Sequence, residues 1–399
     1  MIVSFSFRNF RSYKNETEFD FQAASIPEFE DSLIVRENVS PLLPVGVIYG
    51  PNGGGKSGVL LALGCLVSFV VSPIVRLEKT RVSVIQQSVG FQPFLLDDKS
   101  KSSPTVFDLF FRTEKNEFRY YLSVSDDVIV EECLYKKTYA GKRTAMIFER
   151  DGDTVTLGAS IKAKSINTEV NPKMPYLSFL AINYNLPVIA EVQSWFESCI
   201  FINYANPKFE GKMLITRDIE EKKAIIGLMN EMGVDITDFR FDEEQKKLLL
   251  EKTVNGKTYE MDYHFESEGT KKLFVLLPYI LLALKEGRLA IIDELDAKLH
   301  PKLLRYVISL FKVPTINRYG AQLLFTSHDL TTMNRFVFRR DEIWFAALNQ
   351  NRESEIYSLF DFRNDDGTHV ANTASYGKQY MEGKYGADPY LRNILEWEG

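Results

Sequence analysis

One octapeptide constrains this chain more than anything else in it: Gly50-Pro51-Asn52-Gly53-Gly54-Gly55-Lys56-Ser57. It satisfies the spacing G-x-x-x-x-G-K-[ST] without a gap. An apolar run from Pro44 to Tyr49 precedes it and reads as a strand, and the run from Gly58 to Val71 reads as a helix. Four glycines in six positions let the backbone amides, those of Asn52, Gly53 and Gly55 among them, turn inward around an anion. The helix behind the loop adds its positive end at the same point. In that setting Lys56 reaches the β- and γ-phosphates of a nucleotide, and Ser57 ligates Mg²⁺. A glycine-rich turn without chemistry is the competing reading, and the flanking strand and helix weigh against it.

A buried parallel strand reads as a continuous apolar run, and nucleotide sites form at the carboxyl ends of such strands. Leu289-Ala290-Ile291-Ile292 is such a run, and it ends in Asp293 and Glu294. A hard cation on a triphosphate takes carboxylate oxygen, so Asp293 is the expected partner of Mg²⁺ beside Ser57. Glu294 is then placed to polarise an attacking water. Taken alone, an acidic strand end before a turn is common; the phosphate loop upstream decides for the functional reading. A second run, Gln322 to Thr326, ends in Ser327-His328-Asp329, where the His328 imidazole can bond the γ-phosphate or orient the water. His300 precedes Pro301 and shapes a helix entry, while His264 and His369 carry no constellation. Arg8 and Arg11 lie at a turn between the strand-like segments Ile2 to Phe7 and Glu18 to Gln22. For Arg11 a nucleotide contact and simple solvation are equally good readings.

Between these motifs the pattern changes twice. Six β segments are expected after the loop's helix, at Arg81 to Val84, Thr105 to Phe111, Phe118 to Ser123, Val128 to Tyr135, Thr144 to Glu149 and Thr154 to Leu157. They read as an antiparallel layer on the nucleotide core. Residues 159–234 then turn helical, with apolar runs around Tyr176 to Ile189 and a charged helix near Asp218 to Met232. A hairpin follows, Lys247 to Val254 and Lys257 to Phe265 about the turn Asn255-Gly256, and after it a buried helix over Leu273 to Leu284.

The 399 residues carry a net charge of −6, with a pI near 5.5, so any nucleic acid must meet a local groove. Cys65, Cys133 and Cys199 are odd in number and far apart, which argues against a disulfide framework or structural zinc and for a reducing cytoplasm. The N-terminus lacks the pattern of a signal peptide. Gly58 to Val75 approaches the length of a membrane span, but it grows out of the phosphate loop and is interrupted by Ser68, Ser72 and Pro73. A core helix is expected there, with no membrane partner.

In this order the pieces resemble the ATP-binding-cassette (ABC) ATPases, in particular the soluble branch of SMC, RecF and overcoming-lysogenisation proteins. The opening N-F-R-S maps to Asn9–Ser12, the phosphate loop to Gly50–Ser57 and the signature to Ser267–Gly269. The DE strand maps to Leu289–Glu294, the D-loop to Leu295–Leu299 and the switch histidine to His328. The signature here is S-E-G-T rather than L-S-G-G-Q, and no glutamine is clearly the Q-loop residue that meets the metal; Gln92, just before Pro93-Phe94, is assigned to it. The short form resembles ATPase subunits of abortive-infection and anti-phage systems through E-S-E-G-T-K-K-L, D-E-L-D-A-K-L-H-P, F-T-S-H-D and the tail Tyr380 to Pro389.

That resemblance implies an α/β fold, an ABC-type ATPase head with a mixed sheet core, an antiparallel β layer and a helical insertion. The expected division is 1–158, 159–234 and 235–399. It implies ATP and Mg²⁺ as cofactors and a homodimer or higher homo-oligomer formed through ATP, with Ser267 and Gly269 capping the γ-phosphate held by another subunit. With only about seventy residues after Asp329, no nuclease domain is expected, and a toxin or nuclease is assigned to a separate effector protein. The insertion and the tail are the expected docking surfaces. The alternative is a DNA-repair or DNA-tethering ATPase of the RecF or SMC kind; a transporter's nucleotide-binding subunit fits least.

Overall fold

The structure, a computed structural model, describes residues 1–77, 90–162, 165–203, 219–242, 244–245, 247–364 and 366–387. Strands β1 (Ile2–Arg8) and β2 (Thr17–Asp20) pair antiparallel, with Phe5, Phe7 and Phe19 buried at alternate positions as a half-buried strand requires. β3 (Val45–Tyr49) is buried throughout and passes through the glycine loop into α1 (Lys56–Leu77). The expected interruption at Ser68, Ser72 and Pro73 does not end this helix. The Ser72 hydroxyl donates back to the Ser68 carbonyl, and the Ser178 hydroxyl donates to the carbonyl of Val70, so the polar groups near Pro73 find partners.

After the short α2 (Asp98–Lys101) come β4 (Thr105–Arg112), β5 (Asn116–Ser125), β6 (Val128–Thr138), β7 (Ala145–Asp151) and β8 (Thr154–Leu157). With β1 and β2 they form, among the described residues, a seven-stranded antiparallel sheet of order β2-β1-β4-β5-β6-β7-β8. The expected strand Arg81 to Val84 lies outside the described residues.

The stretch expected to be a helical insertion carries α3 (Tyr176–Asn183), α4 (Pro187–Ser198), a strand β9 (Ile200–Asn203) and α5 (Ile219–Glu231). Asp218, the expected start of the charged helix, is outside the described residues. β10 (Asp238–Asp242), β11 (Lys247–Val254) and β12 (Lys257–Asp262) form a small antiparallel sheet whose Asn255-Gly256 turn has positive φ at both residues, as a tight hairpin needs. Then follow α6 (Glu268–Glu286), β13 (Leu289–Asp293), α7 (Pro301–Lys312), β14 (Gln322–Thr326), β15 (Ile343–Leu348), β16 (Ser354–Ser358) and α8 (Tyr376–Met381).

The central sheet runs β16-β15-β3-β14-β13-β9, parallel from β15 to β9, with β16 antiparallel at the edge. Its two faces feed two cores. Ile48, Leu289, Ile291 and Leu324 join α1, α3, α4 and the antiparallel sheet, whereas Val45, Val47, Ala290, Ile292, Leu323 and Phe325 pack on α5, α6 and α7. This period-two division explains why apolar residues fill both faces of every inner strand, and truncating one to alanine is expected to cost about 2–5 kcal/mol. α1 therefore lies between two sheets, and its buried apolar length is a core, with Leu60, Ala62, Leu63 and Leu66 nearly inaccessible. Gln322, fully buried, stitches the sheets together by accepting from the Ile2 amide and donating to the carbonyls of Ile2 and Leu43.

The tail to Ala387 is not a free appendage. Tyr380 and Tyr385 stack on Phe345 of β15, the Tyr380 hydroxyl donates to the Ala387 carbonyl, and Tyr376 is fully buried. Tyr380 and Met381 also line a cavity of about 470 Å³ on one flank of the phosphate loop. Of the tail expected to dock a partner, Tyr376, Tyr380 and Tyr385 thus pack into the core beside β15, and Asp388 and Pro389 lie outside the described residues.

Candidate nucleotide site

The glycine loop is shaped by its neighbours as much as by its own freedom. Gly50 sits at φ 153°, and a Cβ there would lie 2.2 Å from the Ala346 carbonyl oxygen of β15. Gly55, at φ 107°, would meet the Ser354 hydroxyl at 2.5 Å and the Tyr13 hydroxyl at 2.9 Å. A side chain fits neither place, so the loop adopts a path open to glycine alone. Tyr13, buried, donates to the Gly55 carbonyl at 3.1 Å, and burial pushes its phenol well above the usual tyrosine range.

Lys56 opens α1 and is only 7% exposed. Its ammonium donates to the carbonyls of Gly50 at 2.8 Å and Pro51 at 3.0 Å. Burial lowers its pKa, and the carboxylates of Asp293, Glu294 and Asp296 oppose that shift. One residue on, the Ser57 hydroxyl donates to Asp293 Oδ1 at 3.0 Å, and the Thr326 hydroxyl donates to the same oxygen at 2.6 Å. Three strands therefore deliver their ends to one point: α1 follows β3, Asp293 ends β13, and Thr326 ends β14 between them.

Thr326 also accepts from the Glu294 amide at 2.7 Å, which fixes the backbone of a residue held at φ 53°, an uncommon conformation for glutamate. The Glu294 side chain reaches a cavity of about 520 Å³ shared with His328, Arg11, Gln92, the phosphate loop, Lys56 and Ser57. His328 is exposed, and its amide donates to Asp296 at 3.0 Å. Partial desolvation of the ring beside the loop, then the nearby Lys56 ammonium, lower its pKa from the ordinary histidine value, so the neutral imidazole prevails at pH 7.

The structure thus brings Arg11, Asn52, Gly53, Gly55, Lys56, Ser57, Gln92, Glu294 and His328 to one cavity wall, with Asp293 buried behind Ser57. Ser267 and Gly269 are not on that wall. Ser267 caps α6, accepting from the Thr270 amide at 3.1 Å, and stands exposed. Gln92 is placed by Asn9 rather than by a helix. The buried Asn9 side chain accepts from the Phe94 amide and donates to the carbonyls of Ser100 and Ser103, and the Gln92 carbonyl accepts from the Arg11 amide.

Sequence reasoning missed four contributors. Thr326 is an ordinary strand residue by composition; Arg352 reaches the loop from the β15–β16 turn, lining the cavities on both its flanks. Leu95 and Leu96, exposed by 51% and 69%, add an apolar wall beside the phosphate loop.

Residues 47–334 match the protein family described as "AAA domain, putative AbiEii toxin, Type IV TA system". The chain belongs to this AAA-domain family. No curated protein matches it. Among solved structures it resembles "the recombination mediator protein RecF-ATPrS in RecFOR pathway" at 11% identity, over 89% of this chain and 98% of that one, with a TM-score of 0.32; a likeness that slight carries no argument.

The donor set of this AAA-domain chain fits a magnesium nucleotide. Two hydroxyls donate to one oxygen of the Asp293 carboxylate, Asp293 is only 4% exposed, and a buried ammonium stands at the loop beside them. Hard oxygen donors of this kind suit Mg²⁺, which keeps several waters and takes one or two protein ligands beside phosphate.

Proposed function

We propose that this chain binds and hydrolyses ATP with Mg²⁺, closes as a pair of copies on the nucleotide, and controls or scaffolds a separate effector, a toxin or nuclease, in anti-phage defence in the cytoplasm. The observation that carries the ATPase reading is the convergence of the Ser57 and Thr326 hydroxyls on Asp293 Oδ1, with Glu294 and His328 on the adjoining cavity wall. Lys56 and the loop amides bind the phosphates. Ser57 and Asp293 hold the metal, which when bound neutralises phosphate charge. Glu294 orients a water and takes its proton, and the neutral His328 imidazole bonds the terminal phosphate.

The two-copy reading is supported by the exposed Ser267 at the start of α6, which stands apart from its own chain's cavity. The defence setting is supported by the family's description as a putative AbiEii toxin of a Type IV TA system. It is tested by measuring ATP turnover of the purified chain with Mg²⁺, and by expressing the gene alone and with its neighbour under phage challenge. Turnover and neighbour-dependent protection are expected. Absence of turnover sinks the first part, and toxicity or protection from this gene alone sinks the effector part.

A further inference from the structure

Lys272 lies one turn into α6 and is only 6% exposed, yet its partners are on another element. Its ammonium donates to the backbone carbonyls of Glu294 at 2.9 Å, Leu295 at 2.8 Å and Ala297 at 2.7 Å. Those carbonyls belong to the turn that follows β13, in which Glu294 and Lys298 both hold positive φ. Such a turn directs carbonyls toward α6, and three N–H groups of one ammonium answer three of them.

Two further contacts bind the same pieces. A Cβ on Gly269 would lie 3.0 Å from the Lys298 carbonyl oxygen, so the first turn of α6 rests directly on that backbone. Glu268 and Lys298 form an exposed ion pair at 2.8 Å. The α6 cap at Ser267 and the turn carrying Glu294 are therefore one body, joined by a buried lysine and edged by close backbone packing.

We infer that Lys272 is a positioning residue that couples the Ser267–Gly269 turn to the Glu294 carboxylate, so that nucleotide held by a second copy against Ser267 sets Glu294 for hydrolysis in the first. The inference rests on the two-copy reading above and adds the residue through which one site informs the other. A carboxylate that must meet a water within a few tenths of an ångström is sensitive to the backbone it stands on. Lys272 does not line the nucleotide cavity, and it reaches Glu294 through the backbone carbonyl.

The test is steady-state ATP turnover of the full chain against ATP concentration, with ATP affinity measured separately by calorimetry. Native protein is expected to turn over ATP sigmoidally. Lys272→Met is expected to lower kcat by about tenfold or more, change ATP affinity by less than about twofold, and reduce the Hill coefficient to one. Lys272→Arg, which keeps charge and several donors, is expected to recover most of the rate. If Lys272→Met does not fold, judged by its thermal transition, Lys272→Gln takes its place; if none of the three folds, the lysine is a stability element and the inference is overturned. It is also overturned by native turnover that is hyperbolic in ATP, by kcat of the folded variant within about twofold of native, or by kcat and affinity falling together. Failure of the two-copy reading looks different: native protein then shows no ATP-dependent rise in mass, and Ser267→Arg leaves turnover untouched.

Discussion

The loop from Gly50 to Lys56 leads into a helix and the segment from Ser267 to Lys272 opens one, and both bury a lysine against backbone carbonyls. In the first, the carbonyls are those of Gly50 and Pro51, within the loop itself. In the second they are those of Glu294, Leu295 and Ala297, on a different element. A lysine bonded to its own loop is a binding device, because phosphate oxygens replace nearby carbonyls without disturbing the rest of the molecule. A lysine bonded to a distant turn is a joint, and moving it moves what it holds. Burial depresses both ammonium groups, Lys272 to about 7, where the three carbonyls are fully answered only by the protonated form.

The contrast breaks most visibly at Lys56. Lys56→Ala leaves triphosphate charge uncompensated and is expected to weaken ATP binding by about a hundredfold or more, with the fold intact; unchanged affinity in a calorimetric titration defeats the assignment. Next comes Glu294→Gln, which removes a base but no phosphate contact. It should bind ATP and turn it over about 10²–10⁴-fold more slowly, and near-normal turnover rules Glu294 out.

A smaller effect is expected from Ser267→Arg, which places a bulky cation where a second copy would approach. Turnover should drop by about tenfold along with the ATP-dependent mass in solution, and normal values of both would show that the α6 cap takes no part in a shared site. Asn9→Ala sharpens the comparison from outside either turn. It unpairs the Phe94 amide and the carbonyls of Ser100 and Ser103, so a loss of about 1–3 kcal/mol in denaturant unfolding is expected, with a weaker effect on turnover through the Gln92 loop. The gentlest expectation concerns pH. With the His328 pKa lowered below its ordinary value, His328→Asn should leave the shape of the turnover profile between pH 7 and 8 unchanged, and a step there that disappears in His328→Asn would reassign the imidazole's charge state.

How much of this was legible beforehand follows the kind of signal each part carries. β3, β13 and β14 announce themselves as unbroken apolar runs, and the glycine loop fixes what lies between strand and helix, so the loop, Asp293, Glu294 and His328 could be expected at one end of a parallel sheet, where the structure has them. β9 did not announce itself: four residues after a helix carry too little pattern to show that they pair with β13. That α1 continues through Pro73 was not legible either, because the Ser178 hydroxyl that bonds the Val70 carbonyl comes from α3, a contact that spacing does not record.

By itself the sequence determined the local pattern: which stretch forms the glycine loop, which carboxylates end a buried strand, and where apolar runs make inner strands and helices. Those properties depend on neighbours along the chain, through backbone freedom, periodicity and charge. Only the tertiary structure decided that Thr326 shares an oxygen with Ser57, that Arg352 arrives beside the loop, that the tail's tyrosines complete a core, and that Lys272 holds the Glu294 turn. Each of these joins residues remote in sequence through a hydrogen bond or a packed ring, and such contacts exist only after the sheets and helices have come together.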